Sequence, residues 1–507
     1  MLNRAGSFAL GTTVFLCGGI VMVYEIIGSR LLSPYIGSSI YIWTSLIGVI
    51  LGSLSLGYWL GGRFADKTCE VRVLASVIFA AAGLISVTTL IKDIFLSMIA
   101  ASPMILEVKA LIAALVLFAP ASVFLGMVTP YAIRLKVSSL ETTGRTVGNL
   151  YALSTIGSIA GTFAAGFILV PFVGSVRTLY LIAGALFVIA FVLWPMRISQ
   201  LNIAAVLMFI LGICTSEYTR IYEYQRSQLI DIDTEYSRVQ VFRTTDPLTG
   251  RPARAYATDP FFAQSAMFFD SDELVFPYSK YFDLVQHFNP QFRKNLLIGS
   301  GAYSYPKHYL ETFPSAQIDV VEIDPRVRDI AKRYFRLRDD PRMTTIDKDG
   351  RDFLNRAESG VYDAVLLDAF GSLFSVPYQL TTREAVEQMS RVLNDRGVVI
   401  ANIGSSITGD AGHFVRAEIA TYRTVFPRVM IFKVHGDKND DDLQNLVLVA
   451  LRSSEPGMHS VDSSLNELLS HEYDQPLEIN EPILTDDLAP VEYYSSLAQR
   501  EYLSQRR

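Results

Sequence analysis

Residues 295–301 read NLLIGSG, and they open the stretch that decides the fold of this chain. Three further apolar runs follow, and they end at Glu322-Ile323-Asp324, at Asp349-Gly350 and at Asp368. Helical sequence separates the runs, so we predict strands that alternate with helices in a parallel sheet. Because ligands bind beyond the carboxyl ends of the strands in such a sheet, these terminal residues are expected to converge on one crevice.

The first two strand ends have the chemistry of a nucleoside site. Gly299 and Gly301 let the backbone approach a ligand closely, and Glu322 follows them at about the 20-residue spacing of a carboxylate that binds ribose hydroxyls. A single Gly-x-Gly is weak evidence, whereas four strand ends in the correct order are stronger.

The order of these elements, Gly-x-Gly, Glu-Ile-Asp, Asp-Gly and Asp-Ala-Phe-Gly, resembles the spermidine synthase (polyamine aminopropyltransferase) family over roughly residues 230–450. Members of this family have a methyltransferase-like nucleotide-binding fold and transfer an aminopropyl group from decarboxylated S-adenosylmethionine to an amine. The whole chain looks most like the membrane-fused members, in which a helical membrane region precedes the synthase domain.

The resemblance implies a role for each strand-end residue. Glu322 would hold the ribose, Asp349 would lie near the adenine amine, and Asp368 would orient or deprotonate the attacking nitrogen. Asp368 and Tyr236 are the implied catalytic residues, with a capping aspartate and a core tyrosine as the respective alternatives. The implied residues around the nucleoside co-substrate are Gly299, Gly301, Glu322, Asp324, Asp349, Gly350 and Asp368.

The resemblance also implies a set of substrate-binding residues. They are Gln264, Tyr278, Tyr303, Asp486 and Asp487. Asp486 and Asp487 belong to a Thr-Asp-Asp-x-x-Pro element like that of the membrane-fused members. Paired carboxylates can hold a cationic amine, but such residues more often cap a helix or a turn.

The chain departs from the family pattern at three places. Ala302 stands where a carboxylate usually holds the aminopropyl ammonium, Tyr236-Ser237 replaces Tyr-Gln, and Tyr278-Ser279-Lys280 replaces Tyr-His-Glu. Each lost charge-assisted hydrogen bond is worth about 1.5–3 kcal/mol, which argues against free putrescine as the acceptor. The first departure also makes room for the carboxylate of intact S-adenosylmethionine. The candidates to replace the missing carboxylates are Asp437, Asp440, Asp441, Asp442, Asp486 and Asp487.

The composition divides the chain into an apolar half and a charged half. Half of the 507 residues are hydrophobic, the mean hydropathy is +0.30, and charges are sparse before about residue 216. The net charge of −6 gives no reason to expect a nucleic-acid partner. The cysteines, Cys17, Cys69 and Cys214, have neither metal-ligand nor disulfide spacing, so no metal is expected.

About seven apolar stretches are long enough to cross a bilayer as helices. They are Phe8–Ile27, Ile40–Leu60, Val73–Ile91, Ala110–Val128, Val147–Val170, Val176–Trp194 and Ile198–Cys214. Ile94–Leu106 is shorter and contains Pro103, so we interpret it as an interfacial or re-entrant piece. The first span is not expected to be a signal peptide, because further spans follow it.

Small residues repeat at helical spacing in three pairs, which predicts close helix packing, with a flexible transporter hinge as the alternative. The pairs are Gly48 and Gly52, Gly57 and Gly61, and Gly157 and Gly161. Glu25 lies near the end of the first span, with Arg30 after it. It fits either a substrate path or an interfacial ion pair.

Two arguments about orientation conflict. Seven spans and the bias of lysine and arginine between short loops place the N-terminus in the cytoplasm and the C-terminal half outside. A donor of the S-adenosylmethionine type is made in the cytoplasm, and one span more or fewer removes the conflict. We therefore expect a multi-pass protein of the cell (inner) membrane whose synthase domain faces the cytoplasm.

The fold prediction is a multi-pass α-helical membrane domain followed by an α/β methyltransferase-like (Rossmann-type) domain with a small N-terminal β-subdomain. The predicted regions are a membrane domain at 1–216, a β-subdomain at 217–290, a nucleotide-binding α/β domain at 291–455, and a C-terminal extension at 456–507 that packs on the synthase domain.

Three functions follow from these observations. The first is membrane-bound aminopropyl transfer from decarboxylated S-adenosylmethionine to an amine, a polyamine or a membrane-associated amine, with release of methylthioadenosine. The second is methyl transfer from S-adenosylmethionine on the same scaffold. The third is a polyamine or nucleoside transporter or sensor with a binding-only soluble domain. The expected partners are the lipid bilayer and a small amine, and a homodimer is left open.

Overall fold

The structure is a computed structural model that describes residues 4–37, 39–137, 143–194, 200–258, 262–370, 376–453 and 457–505. It forms two compact units. Unit 1 comprises Met1–Arg226 with Asp231–Arg238, and unit 2 comprises Ser227–Ile230 with Val239–Arg507.

Unit 1 is built from long apolar helices. They are α1 (Arg4–Ile36), α2 (Ile40–Lys67), α3 (Val71–Ala101), α4 (Leu106–Leu117), α5 (Ala119–Lys136), α6 (Thr143–Ala164, continued by a π-helical stretch over Ala165–Val173), α7 (Ser175–Leu193) and α8 (Gln200–Ser227). Within the described ranges, six helices are long and apolar enough to cross a membrane, or seven if the bent pair α4–α5 is one span.

The predicted fourth span, Ala110–Val128, is wrong as a single straight helix. The chain bends by 53° between α4 and α5, because Pro120 has no N–H to donate to the carbonyl one turn earlier. The prediction that Ile94–Leu106 forms a separate interfacial piece is also wrong up to Ala101. Those residues continue α3, since Pro103 comes only after the helix has ended.

The last predicted span, Ile198–Cys214, begins in residues outside those described, and α8 continues well past its predicted end to Ser227. The boundary predicted at residue 216 therefore falls inside a helix rather than at the start of a β-subdomain. The prediction ended this helix too early, because the residues after its apolar part are polar. Arg220 pairs with Glu217 one helical turn away at 2.5 Å, and such pairs support a helix beyond its apolar part.

Two of the three glycine pairs are sites of close helix packing, as predicted. A Cβ added at Gly157 would clash with the carbonyl oxygen of Phe15 in α1, and one added at Gly61 would lie 2.7 Å from the Cα of Met127 in α5. The remaining pair packs against none of the described residues, because a Cβ at Gly48 or Gly52 would meet no atom of theirs within 4 Å. Glycine spacing alone does not show which face of a helix is buried.

This contrast gives a matched prediction. We expect Gly157→Ala to destabilise unit 1 by about 1–3 kcal/mol, because the new methyl group forces α1 and α6 apart. We expect Gly48→Ala to leave stability unchanged or to raise it by up to about 1 kcal/mol through helix propensity. Thermal unfolding of both variants in detergent tests this. Equal midpoints would show that the α1–α6 contact carries no such constraint.

Arg30 bonds to the segment at residues 231–238 of unit 1, where its guanidinium donates to the carbonyl oxygen of Glu235. The two interpretations of Glu25, a substrate path and an interfacial ion pair, stay predictions.

Short strands come next along the chain, where residues 231–238 belong to unit 1 and the following residues to unit 2. They are β1 (Ile230–Asp233), β2 (Arg238–Thr245), β3 (Pro252–Ala257) and β4 (Ser265–Phe268). Strands β2, β3 and β4 pair in antiparallel order. The sequence over Thr234–Phe242 suits a strand, but β2 starts only at Arg238. The hydroxyl of Thr234 accepts hydrogen bonds from the backbone N–H groups of Tyr236 and Ser237 and forms a turn there.

The main sheet of unit 2 has seven strands. They are β5 (Lys294–Ile298), β6 (Gln317–Glu322), β7 (Met343–Asp347), β8 (Tyr362–Leu367), β9 (Leu393–Ser405), β10 (Arg428–Lys433) and β11 (Gln444–Leu451). Their spatial order is β10-β11-β9-β8-β5-β6-β7. Strands β5 to β9 are parallel, and β10 and β11 form an antiparallel pair. The predicted α/β fold is confirmed.

Helices precede these strands, connect them or follow the last of them. They are α9 (Pro277–Lys280), α10 (Val285–Phe288), α11 (Ser304–Thr312), α12 (Pro325–Tyr334), α13 (Gly350–Arg356), α14 (Arg383–Val392), α15 (His413–Arg423), α16 (Ser463–Leu469) and α17 (Val491–Gln505). The chain runs outward from β5 through β6 to β7 and then returns to β8 on the other side of β5. This reversal makes the carboxyl ends of β5 and β8 the topological switch point, where such folds bind ligands.

The C-terminal residues lie against the helices of the sheet. The backbone N–H of Arg383 donates to the carbonyl oxygen of Leu484 at 2.8 Å. Leu484 and Val491 are fully buried in the core that contains β5, β8 and β9. Apolar burial thus attaches this segment to unit 2.

Candidate active site

Backbone hydrogen bonds bring the glycine turn against Asp368 at the switch point. The N–H of Asp368 donates to Ile298 at 2.9 Å, and the N–H of Gly299 donates to Val321 at the same distance. Gly299 has φ +88°, and a Cβ there would clash with the carbonyl oxygen of Asp368. Only glycine meets both conditions, so this turn fixes where Asp368 lies.

The two residues after Gly301 adopt left-handed backbone conformations without being glycines. Ala302 has φ +51° and Tyr303 has φ +61°. Both side chains are fully buried, and the hydroxyl of Tyr303 has no hydrogen-bond partner among the described residues. Such strain persists where the surroundings enforce it, and it concentrates at ligand sites. Sequence reasoning missed it, because neither residue type signals this conformation.

Glu322 connects the glycine turn to the start of α12. Its Oε2 accepts hydrogen bonds from the backbone N–H of Ser300 at 3.0 Å and from the Ser300 hydroxyl at 2.6 Å. Its Oε1 accepts from the N–H of Asp324 at 3.1 Å. Burial raises the pKa of Glu322, and the bonds from Ser300 oppose that rise. Because each carboxylate oxygen has two lone pairs, one site on Oε1 stays open for a ligand hydroxyl, and a second site opens on Oε2 when the Ser300 hydroxyl turns away.

Asp324 and Asp349 cap the helices that follow β6 and β7. Oδ1 of Asp324 accepts from the N–H of Arg326 at 3.0 Å, and its Oδ2 is buried without a partner in the described part of the chain. Oδ1 of Asp349 accepts from the N–H groups of Arg351 and Asp352 at 2.8 and 3.0 Å. In both residues, Oδ2 is therefore the carboxylate oxygen that can accept a hydrogen bond from a ligand.

Gly350 lets α13 approach β5. A Cβ at this position would lie 2.6 Å from a methyl carbon of Ile298. The predicted Asp-Gly pair thus combines a helix cap with a close approach between a helix and a strand.

Asp368 is half-buried, and both of its carboxylate oxygens accept hydrogen bonds. The hydroxyl of Tyr278 donates to Oδ2 at 3.3 Å, and Nδ2 of Asn402 donates to Oδ1 at 3.2 Å. Asn445 in turn donates to Asn402 at 2.9 Å. Burial raises the pKa of Asp368 to about 7, although the bonds from Asn402 and Tyr278 lower it. A carboxylate with a pKa near neutrality is suited to accept a proton from a substrate.

Sequence reasoning missed Asn402 and Asn445. The available signal was one polar residue inside the apolar run VVIANIG of β9. Its pairing with Asp368 became apparent only from the sheet order.

Tyr278 and Gln264 form the wall beside Asp368. The hydroxyl of Tyr278 also lies 3.1 Å from the carbonyl oxygen of Gln264. Burial and the nearby Asp368 hold the pKa of Tyr278 well above its usual value, so the phenol keeps its proton. The Gln264 side chain accepts from Thr258 at 2.6 Å and donates to the Phe262 carbonyl at 3.0 Å. Gln264 therefore positions backbone beside the site.

Tyr236 belongs to unit 1, and 48% of the residue is exposed. The alternative interpretation of Tyr236 as a core residue is therefore wrong, and its catalytic role stays a prediction.

A cavity of about 480 Å³ opens beside Asp368. The lining includes Asp368, Tyr278, Gln264, Gly301, Asn402 and Asn445 from the site, together with apolar side chains such as Phe262, Phe276 and Phe370. Tyr303 is absent from the described lining and lies at the glycine turn. A mostly apolar cavity with a few convergent polar groups has the character of a small-molecule site.

Asp486 and Asp487 are also absent from the described lining of this cavity. The carboxylate of Asp486 pairs with Arg351 at 2.7 Å and accepts from the Thr382 hydroxyl at 2.7 Å. Asp487 is exposed. Asp486 thus fastens the C-terminal segment to α13 and α14, and the predicted binding of an amine by the pair stays a prediction.

The acidic loop between β10 and β11 lines the cavity with residues other than its aspartates. His435, Lys438, Leu443, Gln444 and Asn445 line the cavity. The described lining does not include the four aspartates of this loop. Asp440 pairs with Lys433 at 2.9 Å. Asp442 accepts from the N–H of Asn439 at 3.0 Å.

Comparison with known proteins gives the relatives of unit 2. Residues 283–434 match the spermine/spermidine synthase domain. Over 199 residues the chain is 32% identical to a polyamine aminopropyltransferase of Vibrio vulnificus, covering 39% of this chain and 63% of that protein. A "polyamine aminopropyltransferase 2" of Ralstonia nicotianae is 23% identical over 433 residues, 79% of each chain. The matches to the first three relatives span 48–63% of those proteins.

Solved structures give a similar result. A probable spermidine synthase from Corynebacterium glutamicum aligns over 51% of this chain and 91% of its own, with 17% identity and a TM-score of 0.40.

Proposed function

We propose that this protein is a membrane-bound aminopropyltransferase. The proposal starts from the match of residues 283–434 to the spermine/spermidine synthase domain. The protein transfers an aminopropyl group from decarboxylated S-adenosylmethionine to an amine and releases methylthioadenosine. The observation that carries the proposal is Asp368, a half-buried carboxylate that lies between the glycine turn and the cavity and whose pKa is raised to about 7 by desolvation.

The residues around the glycine turn fit the nucleoside of the donor. Glu322 would accept hydrogen bonds from the two ribose hydroxyls, and Oδ2 of Asp349 would accept from the adenine amine. The buried hydroxyl of Tyr303 and Oδ2 of Asp324 have no partner among the described residues. Since buried polar atoms are normally satisfied, these two atoms support a site that a polar ligand completes.

The reaction needs alignment and one proton acceptor. The lone pair of the amine nitrogen forms a bond to the aminopropyl carbon next to the sulfonium. The carbon–sulfur bond breaks, and its electron pair stays on sulfur to give neutral methylthioadenosine. The nitrogen then carries an extra proton, which passes to the Asp368 carboxylate. Tyr278 and Asn402 hold that carboxylate in place, and such positioning supplies much of the rate of a direct displacement.

We propose that the apolar helices of unit 1 span the cell (inner) membrane and that the synthase domain faces the cytoplasm, where the donor is made. Six helices with sufficient length and hydropathy, and a seventh if the bent pair is one span, support the membrane part. Accessibility of single introduced cysteines in intact cells to a membrane-impermeant thiol reagent tests the side.

One observation favours a second candidate, methyl transfer from intact S-adenosylmethionine. Ala302 stands in the glycine turn, so no carboxylate there repels the carboxylate of that donor. The two candidates differ in the group that is transferred and therefore in the nucleoside product.

The product separates the two candidates. We expect the purified full-length protein, incubated with an amine mixture and each donor in turn, to release methylthioadenosine from decarboxylated S-adenosylmethionine. Release of S-adenosylhomocysteine from the intact donor would move the assignment to methyl transfer. Calorimetric titration with both donors and methylthioadenosine checks binding, and binding of none of the three would exclude both enzymes.

A further inference from the structure

One buried amide at the cavity has an acceptor atom without a partner. Gln444 lines the cavity at the start of β11, and 4% of it is exposed. Its Nε2 donates to the carbonyl oxygen of Asn439 at 3.0 Å, inside the loop. Its Oε1 has no hydrogen-bond partner in the described part of the chain. A buried carbonyl without a donor is unfavourable, so a bound molecule with an N–H or O–H group would complete it.

The same side of the cavity has a positive rather than a negative character. Lys438 lines it, and the Nζ of Lys438 donates to the Leu443 carbonyl at 3.1 Å, which holds the ammonium at the loop. Burial and the nearby Lys438 lower the pKa of His435, so its imidazole is neutral at pH 7. A second ammonium placed beside Gln444 would meet a like charge without a compensating carboxylate from this loop.

The cavity has another carboxylate on a different element, at Asp246 in the turn between β2 and β3. It is 6% exposed, and its Oδ2 accepts hydrogen bonds from the N–H of Thr249 at 2.9 Å and from the Thr249 hydroxyl at 2.5 Å. These hydrogen bonds lie within the turn, and they are enough to stabilise a buried, charged Asp246. They do not require a ligand.

We infer that the amine acceptor is a monoamine whose far end carries an uncharged hydrogen-bond donor, a hydroxyl or an amide N–H. Gln444 Oε1 accepts that hydrogen bond, and Lys438 disfavours a diamine. The apolar side chains of Phe262, Phe276 and Phe370 surround the chain between the two ends. The inference rests on the proposed aminopropyl transfer, because it takes the reacting nitrogen to lie at Asp368.

Three four-carbon amines of matched length test this inference. They are 4-aminobutan-1-ol, butylamine and putrescine, offered separately with decarboxylated S-adenosylmethionine at one pH. We expect kcat/KM for the amino alcohol to exceed that for butylamine about tenfold, the effect of one hydrogen bond. We expect putrescine to be the poorest of the three. Mass spectrometry identifies each aminopropylated product.

Two variants separate the roles of the residues. We expect Gln444→Glu to reverse the order in favour of putrescine, because a carboxylate favours an ammonium over a hydroxyl. We expect Lys438→Met, a change at an exposed side chain, to raise kcat/KM for putrescine several-fold. Asp437→Asn, on the same loop but outside the described lining, is the control and should leave the order of the three amines unchanged.

The other possible results contradict either the inference or the proposed function. If putrescine is the best acceptor of the wild-type protein, or if the three amines react equally, the inference is wrong and aminopropyl transfer stands. Selective loss of putrescine transfer in Asp246→Asn would identify a diamine site instead. If no amine accepts the group although methylthioadenosine binds in calorimetry, the proposed function fails, and the inference fails with it.

Discussion

Replacing Asp368 by asparagine is expected to lower kcat by about 10²–10⁴-fold, the usual contribution of a positioned general base. The substitution preserves shape and removes only the ability to take up the proton. The fold should tolerate it, because the new amide can donate to the Tyr278 hydroxyl, which still donates to the carbonyl oxygen of Gln264. The measurement is the rate of methylthioadenosine release at saturating donor and amine.

The matched control is Asp395→Asn, which removes an exposed carboxylate of β9 and should leave kcat unchanged. Calorimetry with methylthioadenosine should show that Asp368→Asn still binds the nucleoside. If Asp368→Asn retained full kcat, Asp368 would not be the proton acceptor. Its alternative interpretation as a capping aspartate would then stand.

The pH dependence of the wild-type enzyme follows from the same group. A base must be deprotonated, and burial raises the pKa of Asp368 to about 7. The fraction of active enzyme therefore falls as pH drops through 7, and kcat/KM should decrease about tenfold per pH unit below that value. Because the hydrogen bond from Asn402 lowers this pKa, Asn402→Leu should move the acidic limb to higher pH. If the acidic limb of the pH profile did not move in this variant, a group other than Asp368 would be responsible for it.

Replacing Glu322 by alanine is expected to weaken methylthioadenosine and both donors about a hundredfold or more. The carboxylate would lose two charge-assisted hydrogen bonds to the ribose, each worth about 1.5–3 kcal/mol. A change of about 1.4 kcal/mol is a factor of ten in Kd. Titration calorimetry with all three nucleosides measures the effect, which should be similar for each because they share the ribose.

Glu322 also holds the glycine turn through Ser300, so the variant needs a structural check. Thermal unfolding without ligand shows whether the fold persists, and Glu322→Gln keeps the shape while removing the charge. We expect the glutamine variant to bind with intermediate affinity. Glu358→Ala, at an exposed position outside the site, is the control. Unchanged affinity in the alanine variant would exclude Glu322 as the ribose ligand.

Much of unit 2 could be predicted from the sequence, because the signals of a parallel sheet are local. A buried strand needs a run of apolar residues, and the chain must turn where that run ends. The ends of β5, β6, β7 and β8 therefore gave both the fold and the candidate residues Gly299, Glu322, Asp349 and Asp368. The run that was expected to end at Asp349-Gly350 forms strand β7, Met343–Asp347, directly before that pair.

The helices of unit 1 were predictable in outline, but their ends and bends were predicted wrongly for a physical reason. Hydropathy indicates that a helix is apolar, but it does not show where a helix bends or how far it continues. The bend between α4 and α5 and the continuation of α8 to Ser227 depend on a missing N–H and on side-chain pairs. Likewise, the spacing of Gly48 and Gly52 is identical to that of Gly157 and Gly161, although only the second pair faces another helix.

The sequence by itself thus determined the strand ends, the apolar helices and the carboxylate at position 368, because each is encoded by neighbouring residues. Only the tertiary structure decided what surrounds that carboxylate. Asn402, Asn445 and Gln444 come from strands that are distant in sequence and adjacent through the sheet order. The burial that raises the pKa of Asp368 is likewise a property of the assembled core, since no single segment excludes water from it.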